Sequence, residues 1–400
     1  VTRPLEPLAV PADERVLDVL PALRAALSGA GPALLLHSEE VSPPAALRPG
    51  EPLAGVEDDP ADPTVAVVAT SGSTGAPKGV LLPASALLAS VSATHDRLGG
   101  AGRWLLALPA QHVAGLQVLL RSLVGGVPPV VADLTGGFRP AAFAAAAERM
   151  AGSRRYTALV PTQLTRLLDA GGAALAALAS FDAVLVGGAG TPAPLRERAL
   201  DAGVRVVTTY GMTETCGGCV YDGVALDGVA VRVAEPAGRV LLGGAVLARG
   251  YRSPPDADPC PGFVVDHDGS RWAATDDAGR LDPAGRLEVV GRRDDVVVTG
   301  GLKVAPRAVE SALLRLPGVR EAAVVAAPDP QWGQRVVAAL VLADGALPPT
   351  MAQVRERVTA DVAAHAAPRQ LLVLASMPVR GPGKPDRTAI ARLAAQRGRG

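Results

Sequence analysis

Between Thr64 and Thr208 short apolar runs bounded by glycine alternate with longer Ala-, Leu- and Arg-rich stretches, and no other feature restricts the fold as much. Residues 64–69, 104–108, 156–160, 183–186 and 204–208 read as buried strands. Residues 141–150, 162–169 and 193–202 read as helices between them. Strands linked through helices pair in parallel, and the helices then cover both faces of the sheet. An α/β fold with a large layered N-terminal domain is expected.

Outside that region the pattern differs. Residues 1–60 are Pro- and Ala-rich, with a helix expected over 16–27 and an acidic turn at Glu57-Asp58-Asp59-Pro60. From about Val220 short strands with close turns, at 229–233, 239–242, 262–265 and 287–290, suggest a small antiparallel or barrel-like subdomain. The charged cluster Arg292-Arg293-Asp294-Asp295 is the best boundary. Beyond it the spacing predicts a small mobile α+β domain with helices over 306–316 and 351–364, strands near 322–327 and 335–342, and a short helix in the tail 389–400. The expected division is 1–291, a hinge at 292–295, and 296–400; 400 residues suit two or three domains.

Composition excludes several classes. Acidic and basic residues balance, 39 against 39, so a general nucleic-acid or anionic-membrane surface gains no support. Cys216, Cys219 and Cys260 are too few for a disulfide framework and point to a reducing compartment. Gly, Pro or Arg interrupts every apolar stretch before it reaches the roughly 18 residues of a membrane helix. Val1 to Leu8 has no apolar core of a secretory signal, so a cytoplasmic protein is expected. Only three of the 39 basic residues are lysine: Lys78, Lys303 and Lys384, each beside glycine. A chain that uses arginine for generic cations keeps lysine where a compact ammonium fits and a planar fork does not.

The stretch Thr70-Ser71-Gly72-Ser73-Thr74-Gly75-Ala76-Pro77-Lys78-Gly79 follows a strand. Backbone amides freed by glycine, hydroxyls of Ser and Thr, and one ammonium can surround phosphate oxygens. It is no Walker A loop, because glycine follows Lys78. Taken alone, a Gly/Ser-rich loop fits a flexible turn equally well.

This loop resembles the phosphate-binding signature of the acyl-adenylate-forming superfamily, and further signatures follow in order. Tyr210-Gly211-Met212-Thr213-Glu214-Thr215 is similar to its adenine and magnesium motif, Thr275-Asp276-Asp277 to its Thr-Gly-Asp element, Gly291 to Asp295 to its hinge, and Pro378 to Lys384 to its C-terminal lysine loop. The resemblance implies ATP, Mg²⁺ and coenzyme A, with Thr70, Ser71, Ser73, Thr74 and Lys78 on phosphate. Tyr210, Gly211 and Met212 would face adenine, Thr213 the α-phosphate, and Glu214 the magnesium; Asp277 and Arg292 would hold the ribose. Lys384 would meet the reacting carboxylate and α-phosphate, after which a pivot at Asp294 would bring Gly300, Gly301 and Lys303 to the coenzyme A channel.

Two positions depart from the family pattern. Asp276 stands where glycine is usual, which adds a negative charge near ATP, and Pro385-Asp386-Arg387 replaces the residues common after the lysine. His112, in Pro109-Ala110-Gln111-His112-Val113-Ala114-Gly115, is similar to the family's acyl-pocket histidine; without that context a lone His beside apolar residues is a core or cap residue. The Cys216-Gly217-Gly218-Cys219 spacing suits a metal, yet no second pair completes a zinc site, so both read as pocket-wall residues.

The run through Tyr221 resembles the o-succinylbenzoate–CoA ligases of menaquinone biosynthesis. The short N-terminal region, with about 70 residues before the phosphate loop, agrees. On this resemblance His112, Thr162, Gly187, Gly188, Ala189, Gly217 and Gly218 form the pocket for o-succinylbenzoate, whose aromatic carboxylate needs a donor that the sequence does not identify. A homodimer stays open, with neither nucleic acid nor membrane as partner. The rivals are an acyl-CoA synthetase for another aromatic or short-chain acid, an adenylation module serving a carrier protein, and an inactive binding homologue.

Overall fold

The computed structural model describes residues 3–71, 77–152, 154–236, 238–252, 262–380 and 384–397. Ser73, Thr74, Cys260 and residues 381–383 lie outside the described residues, as do the side chains of Ser71 and Lys384.

Five parallel strands run from one edge of a seven-stranded sheet: Arg103–Leu106, Val130–Val131, Arg155–Leu159, Ala183–Val186 and Val206–Met212. Val130–Val131 lies outside Arg103–Leu106, and the chain then returns past that strand to lay down the other three in sequence order. Such a reversal opens a crevice at the carboxyl ends of the strands. Successive side chains alternate between two cores, as their period of two requires. Trp104, Leu106 and Leu185 join one core, against the Ala84–Arg97 and Val113–Gly125 helices. Leu105, Val184 and Val186 join the other, against Pro140–Glu148, Pro161–Ala170 and Ala193–Asp201. Pro140 and Pro161 open their helices, where the missing amide costs no hydrogen bond. The sheet is covered on both faces, as the sequence pattern requires.

A second sheet runs in the order Leu5–Val10, Ala33–Ser38, Thr64–Ser71, Pro77–Pro83, Gly250–Arg252. Its first two strands are not expected from the sequence, which offers only a helix there. That helix is also divided: a 3₁₀ turn Glu14–Val19 precedes the α-helix Leu20–Leu27. Pro21 lacks the amide that a continuous helix would bond to the carbonyl of Leu17. Thr64–Ser71 turns back through the glycine-rich loop onto Pro77–Pro83, with Thr70 opposite Lys78.

Val229–Ala234, Arg239–Gly244, Arg271–Leu281, Phe263–Val265 and Leu287–Arg292 form an antiparallel sheet. A fourth sheet holds Val297–Thr299, Leu302–Val304, Val319–Asp329, Gly333–Leu342 and Gln370–Leu374, packed by the helices Pro306–Leu313, Met351–Asp361 and Arg387–Arg397. It meets the central sheet's helices through an Arg320–Asp169 ion pair of 2.6 Å. The adenine motif is expected to follow a strand ending at Thr208, whereas Tyr210, Gly211 and Met212 lie inside the strand Val206–Met212. The partner strand Gly217–Tyr221 extends the pairing through them. Among the described residues no helix is long and apolar enough to cross a membrane.

Candidate active site

Four segments singled out by sequence emerge at the carboxyl ends of neighbouring parallel strands. His112 follows Arg103–Leu106, Thr162 follows Arg155–Leu159, Gly187 to Ala189 follow Ala183–Val186, and Thr213 with Glu214 follow Val206–Met212. The side chain of Thr209 sits between Gly187 and Gly218. A Cβ on Gly187 would collide with Thr209 Oγ1, and one on Gly211 would collide with the carbonyl of Gly217, so neither position accepts a larger residue unchanged. His112 is half-buried and occupies the N-cap position of Val113–Gly125.

The Thr213–Thr215 turn is fixed from several sides. Thr215 Oγ1 accepts from the Met212 amide at 3.0 Å and lies 2.9 Å from the Gly217 carbonyl. Cys216 adopts φ = +52°, and its carbonyl accepts from Gln117 Nε2 at 2.8 Å and Ser90 Oγ at 3.3 Å. The Glu214 carbonyl accepts from the Ala248 amide at 2.8 Å. With its backbone held, Glu214 presents Oε1 to the Tyr251 hydroxyl at 2.8 Å. Lys78 Nζ lies 5.5 Å from the centre of the Tyr251 ring. Because Gly250–Arg252 pairs with Pro77–Pro83, the second sheet brings Lys78 and Tyr251 to a carboxylate carried by the first. Thr70 donates to the Lys78 carbonyl at 3.3 Å across the base of the same hairpin.

A second cluster forms where the antiparallel sheet meets the central one. Tyr210 donates to Asp277 Oδ2 at 2.8 Å, and burial followed by the Asp277 charge drives the phenol above its ordinary pKa. Thr275 Oγ1 accepts from the Asp277 amide at 3.1 Å and donates to the Val240 carbonyl at 2.8 Å. Asp277 stands opposite Arg292 in the strand register. Arg292 makes a two-pronged pair with Asp294, at 2.8 and 2.7 Å. That hydrogen-bonded pair raises the guanidinium pKa and holds the Asp294 carboxyl below its usual range. The charge of Asp276, expected to burden the site, is shared between Arg239 and Arg292, each at 3.5 Å.

Other expected residues stay apart. Gly300, Gly301 and Lys303 belong to the Val297–Thr299 and Leu302–Val304 hairpin, and their described contacts are within the fourth sheet. Gly300 lies against Trp332, whose ring carries the Arg369 guanidinium at 4.6 Å. Lys384 pairs through its backbone with Arg380. Cys216 and Cys219 are fully buried, and burial pushes the Cys219 thiol up to about 12, so neither is a thiolate at neutral pH. Among the described residues no group of three His, Cys, Asp or Glu is arranged to hold a metal.

Three residues are absent from the sequence-based site. Tyr251 is one of only four tyrosines in the chain, and that scarcity is its one mark in the sequence. Gln117 seats the Cys216 turn. Arg121, one helical turn further along the same helix face, interrupts an otherwise apolar run, and its buried guanidinium has no carboxylate partner among the described residues. It lies 3.4 Å from the Tyr221 hydroxyl and 4.9 Å from the Trp104 ring centre, and burial lowers its pKa.

Residues 10–251 match the AMP-binding enzyme family and residues 308–384 match the AMP-binding enzyme C-terminal domain; the chain belongs to this family. It is 48% identical over 390 residues to a probable 2-succinylbenzoate–CoA ligase of Mycobacterium tuberculosis, with 96% of this chain and 97% of the relative covered. A feruloyl-CoA synthase of an Amycolatopsis species is 32% identical over 409 residues, with 91% and 80% covered. The o-succinylbenzoate CoA synthetase of Bacillus subtilis, solved with its acyl-adenylate intermediate, superposes with a TM-score of 0.76 at 24% identity, covering 97% of this chain and 88% of that one, a likeness of fold.

Proposed function

We propose that this chain ligates o-succinylbenzoate to coenzyme A through an acyl-adenylate, with release of AMP and pyrophosphate, in menaquinone biosynthesis. One observation carries the reading: Tyr210, Asp277 and Arg292, from two sheets, meet beside a strand end that also carries Thr213 and Glu214. An aromatic face, a ribose acceptor and a phosphate-facing acidic turn in one place suit a nucleotide. The extent of identity to the mycobacterial relative supports the acid.

The succinyl carboxylate attacks the α-phosphorus of ATP, the bond from that phosphorus to the bridging oxygen breaks, and pyrophosphate leaves with the electron pair. Tyr210 stacks on adenine, Asp277 accepts the ribose hydroxyls, and Arg292 donates to the same sugar. Thr213 donates to the α-phosphate. Thr70, Ser71, Ser73, Thr74 and Lys78 surround the departing phosphates, and Lys384 stabilises the charge that builds during attack. Glu214 fits magnesium as a hard oxygen donor: one oxygen is held by Tyr251, and phosphates would supply further ligands. When bound, the ion neutralises phosphate charge and polarises the α-phosphoryl group.

In the second half the coenzyme A thiol loses its proton and attacks the acyl carbon, and AMP leaves with the ester oxygen. We place the division between residues 1–291 and 296–400, with Asp294 as the pivot, because pyrophosphate and pantetheine need the same entrance at different times. The turn then exchanges Lys384 for Gly300, Gly301 and Lys303. His112, Thr162, Gly187, Gly188, Ala189, Gly217 and Gly218 line the acid's pocket. Dependence on ATP and coenzyme A agrees with the cytoplasm as its compartment.

The rival is a ligase for an aromatic monocarboxylic acid, favoured by the feruloyl-CoA synthase likeness. Mass spectrometry of products from a mixed panel of acids with ATP and coenzyme A tests the choice. The expected thioester is that of o-succinylbenzoate, with AMP; a dominant monocarboxylate thioester overturns the assignment of the acid, and ADP overturns the mechanism.

A further inference from the structure

The hinge is gripped from both sides. Asp294 is paired with Arg292, at the end of the antiparallel sheet, whereas Asp295 is paired at 3.0 Å with Arg387, which also binds Glu310 at 2.7 Å, both on helices of the fourth sheet. A turn about Asp294 therefore carries its carboxylate away from Arg292. Arg292 itself cannot follow, because its strand is paired with Arg271–Leu281 and the Arg293 amide donates to the Asp276 carbonyl at 2.8 Å. Asp276 lies on that same ladder, so its position relative to Arg292 survives the turn.

Asp276 Oδ2 already stands 3.5 Å from Arg292 Nη2. Its other neighbour, Arg239, is fixed by donating to the Thr275 carbonyl at 2.6 Å and the Ala274 carbonyl at 3.3 Å. Both carboxylates and Arg292 are about half-exposed, so a partner exchange among them has no deep energetic well to leave. Without Asp276, a guanidinium released by Asp294 would be left with Asp277, the residue opposite it in the register, whose carboxylate is already engaged by Tyr210.

We infer that Asp276 is a positioning residue for the second half-reaction: once Asp294 has turned away, Asp276 takes over Arg292 and keeps it at the ribose of the acyl-adenylate. The inference rests on the functional reading above. It also gives a physical role to the residue that replaces the usual glycine.

The test compares the full chain with Asp276→Asn and Asp276→Glu in two assays: pyrophosphate exchange driven by o-succinylbenzoate, and thioester formation from supplied o-succinylbenzoyl-adenylate and coenzyme A. Asp276→Asn is expected to slow the second half about two- to fivefold more than the first, the range of an exposed ion pair. Asp276→Glu restores the wild-type ratio of the halves, and high salt narrows the asparagine effect. Equal losses in both halves, or a glutamate variant as slow as the asparagine one, overturn the inference alone. A wild-type chain with no pyrophosphate exchange overturns the functional reading, and the inference with it.

Discussion

The Tyr210 hydroxyl donates a 2.8 Å hydrogen bond to Asp277 Oδ2, joining the last parallel strand of the central sheet to the antiparallel sheet. On the proposed function, the bond holds Asp277 in place for the ribose. Tyr210→Phe is expected to raise the KM for ATP about three- to tenfold with little change in kcat, as one neutral donor is lost. Asp277→Ala, which removes a charged acceptor, raises it about ten- to hundredfold. Steady-state kinetics with varied ATP check the order; a larger loss from Tyr210→Phe would contradict it.

Arg121 bears on stability. Replacing a buried cation that no carboxylate among the described residues answers by an apolar residue of similar length removes a desolvation cost, so Arg121→Met is expected to melt no lower than wild type. Thermal melts of the two chains check it; a melting temperature several degrees below wild type would contradict it.

On the proposed function, Lys384 and Lys303 are expected to divide the halves of the reaction. Lys384→Ala is expected to abolish pyrophosphate exchange while supplied acyl-adenylate is still converted to thioester. Lys303→Ala should do the reverse, harming thioester formation more. Equal loss in both halves for either variant would refute its assigned role.

Asp58 has a pH signature. Burial pushes its carboxyl up, but hydrogen bonds from Arg3, at 2.6 and 2.9 Å, and from the Thr64 amide, at 2.8 Å, outweigh burial and hold it below its ordinary value. A depressed carboxyl contributes stability that is full above its unfolded pKa and lost as pH falls through the folded one. Asp58→Asn should therefore cost about 1–3 kcal/mol at pH 7, a cost that shrinks below about pH 4. Urea melts across that range check it; a gap constant with pH would contradict the ion pair.

Much of this arrangement is legible in the chain because it is local. The parallel strands follow from continuous apolar runs, and the segments after them fall at one sheet edge wherever they occur in sequence. What the sequence hides is pairing at a distance. Leu5–Val10 contains Pro7 and Glu6 and becomes a strand only because Ala33–Ser38 lies beside it. Tyr210 to Met212 count as strand because Gly217–Tyr221 folds back on them. Asp276 looks like an uncompensated charge until Arg239, distant in the chain, stands next to it. Arg121 looks like a surface cation in a helix whose other faces are buried.

The central claim is that AMP is the leaving group of the activated acid, and oxygen labelling tests it most directly. With ¹⁸O in the succinyl carboxylate of o-succinylbenzoate, one turnover with ATP and coenzyme A should deliver a single labelled oxygen to the phosphate of AMP. Label appearing instead in inorganic phosphate, with ADP formed, would contradict it.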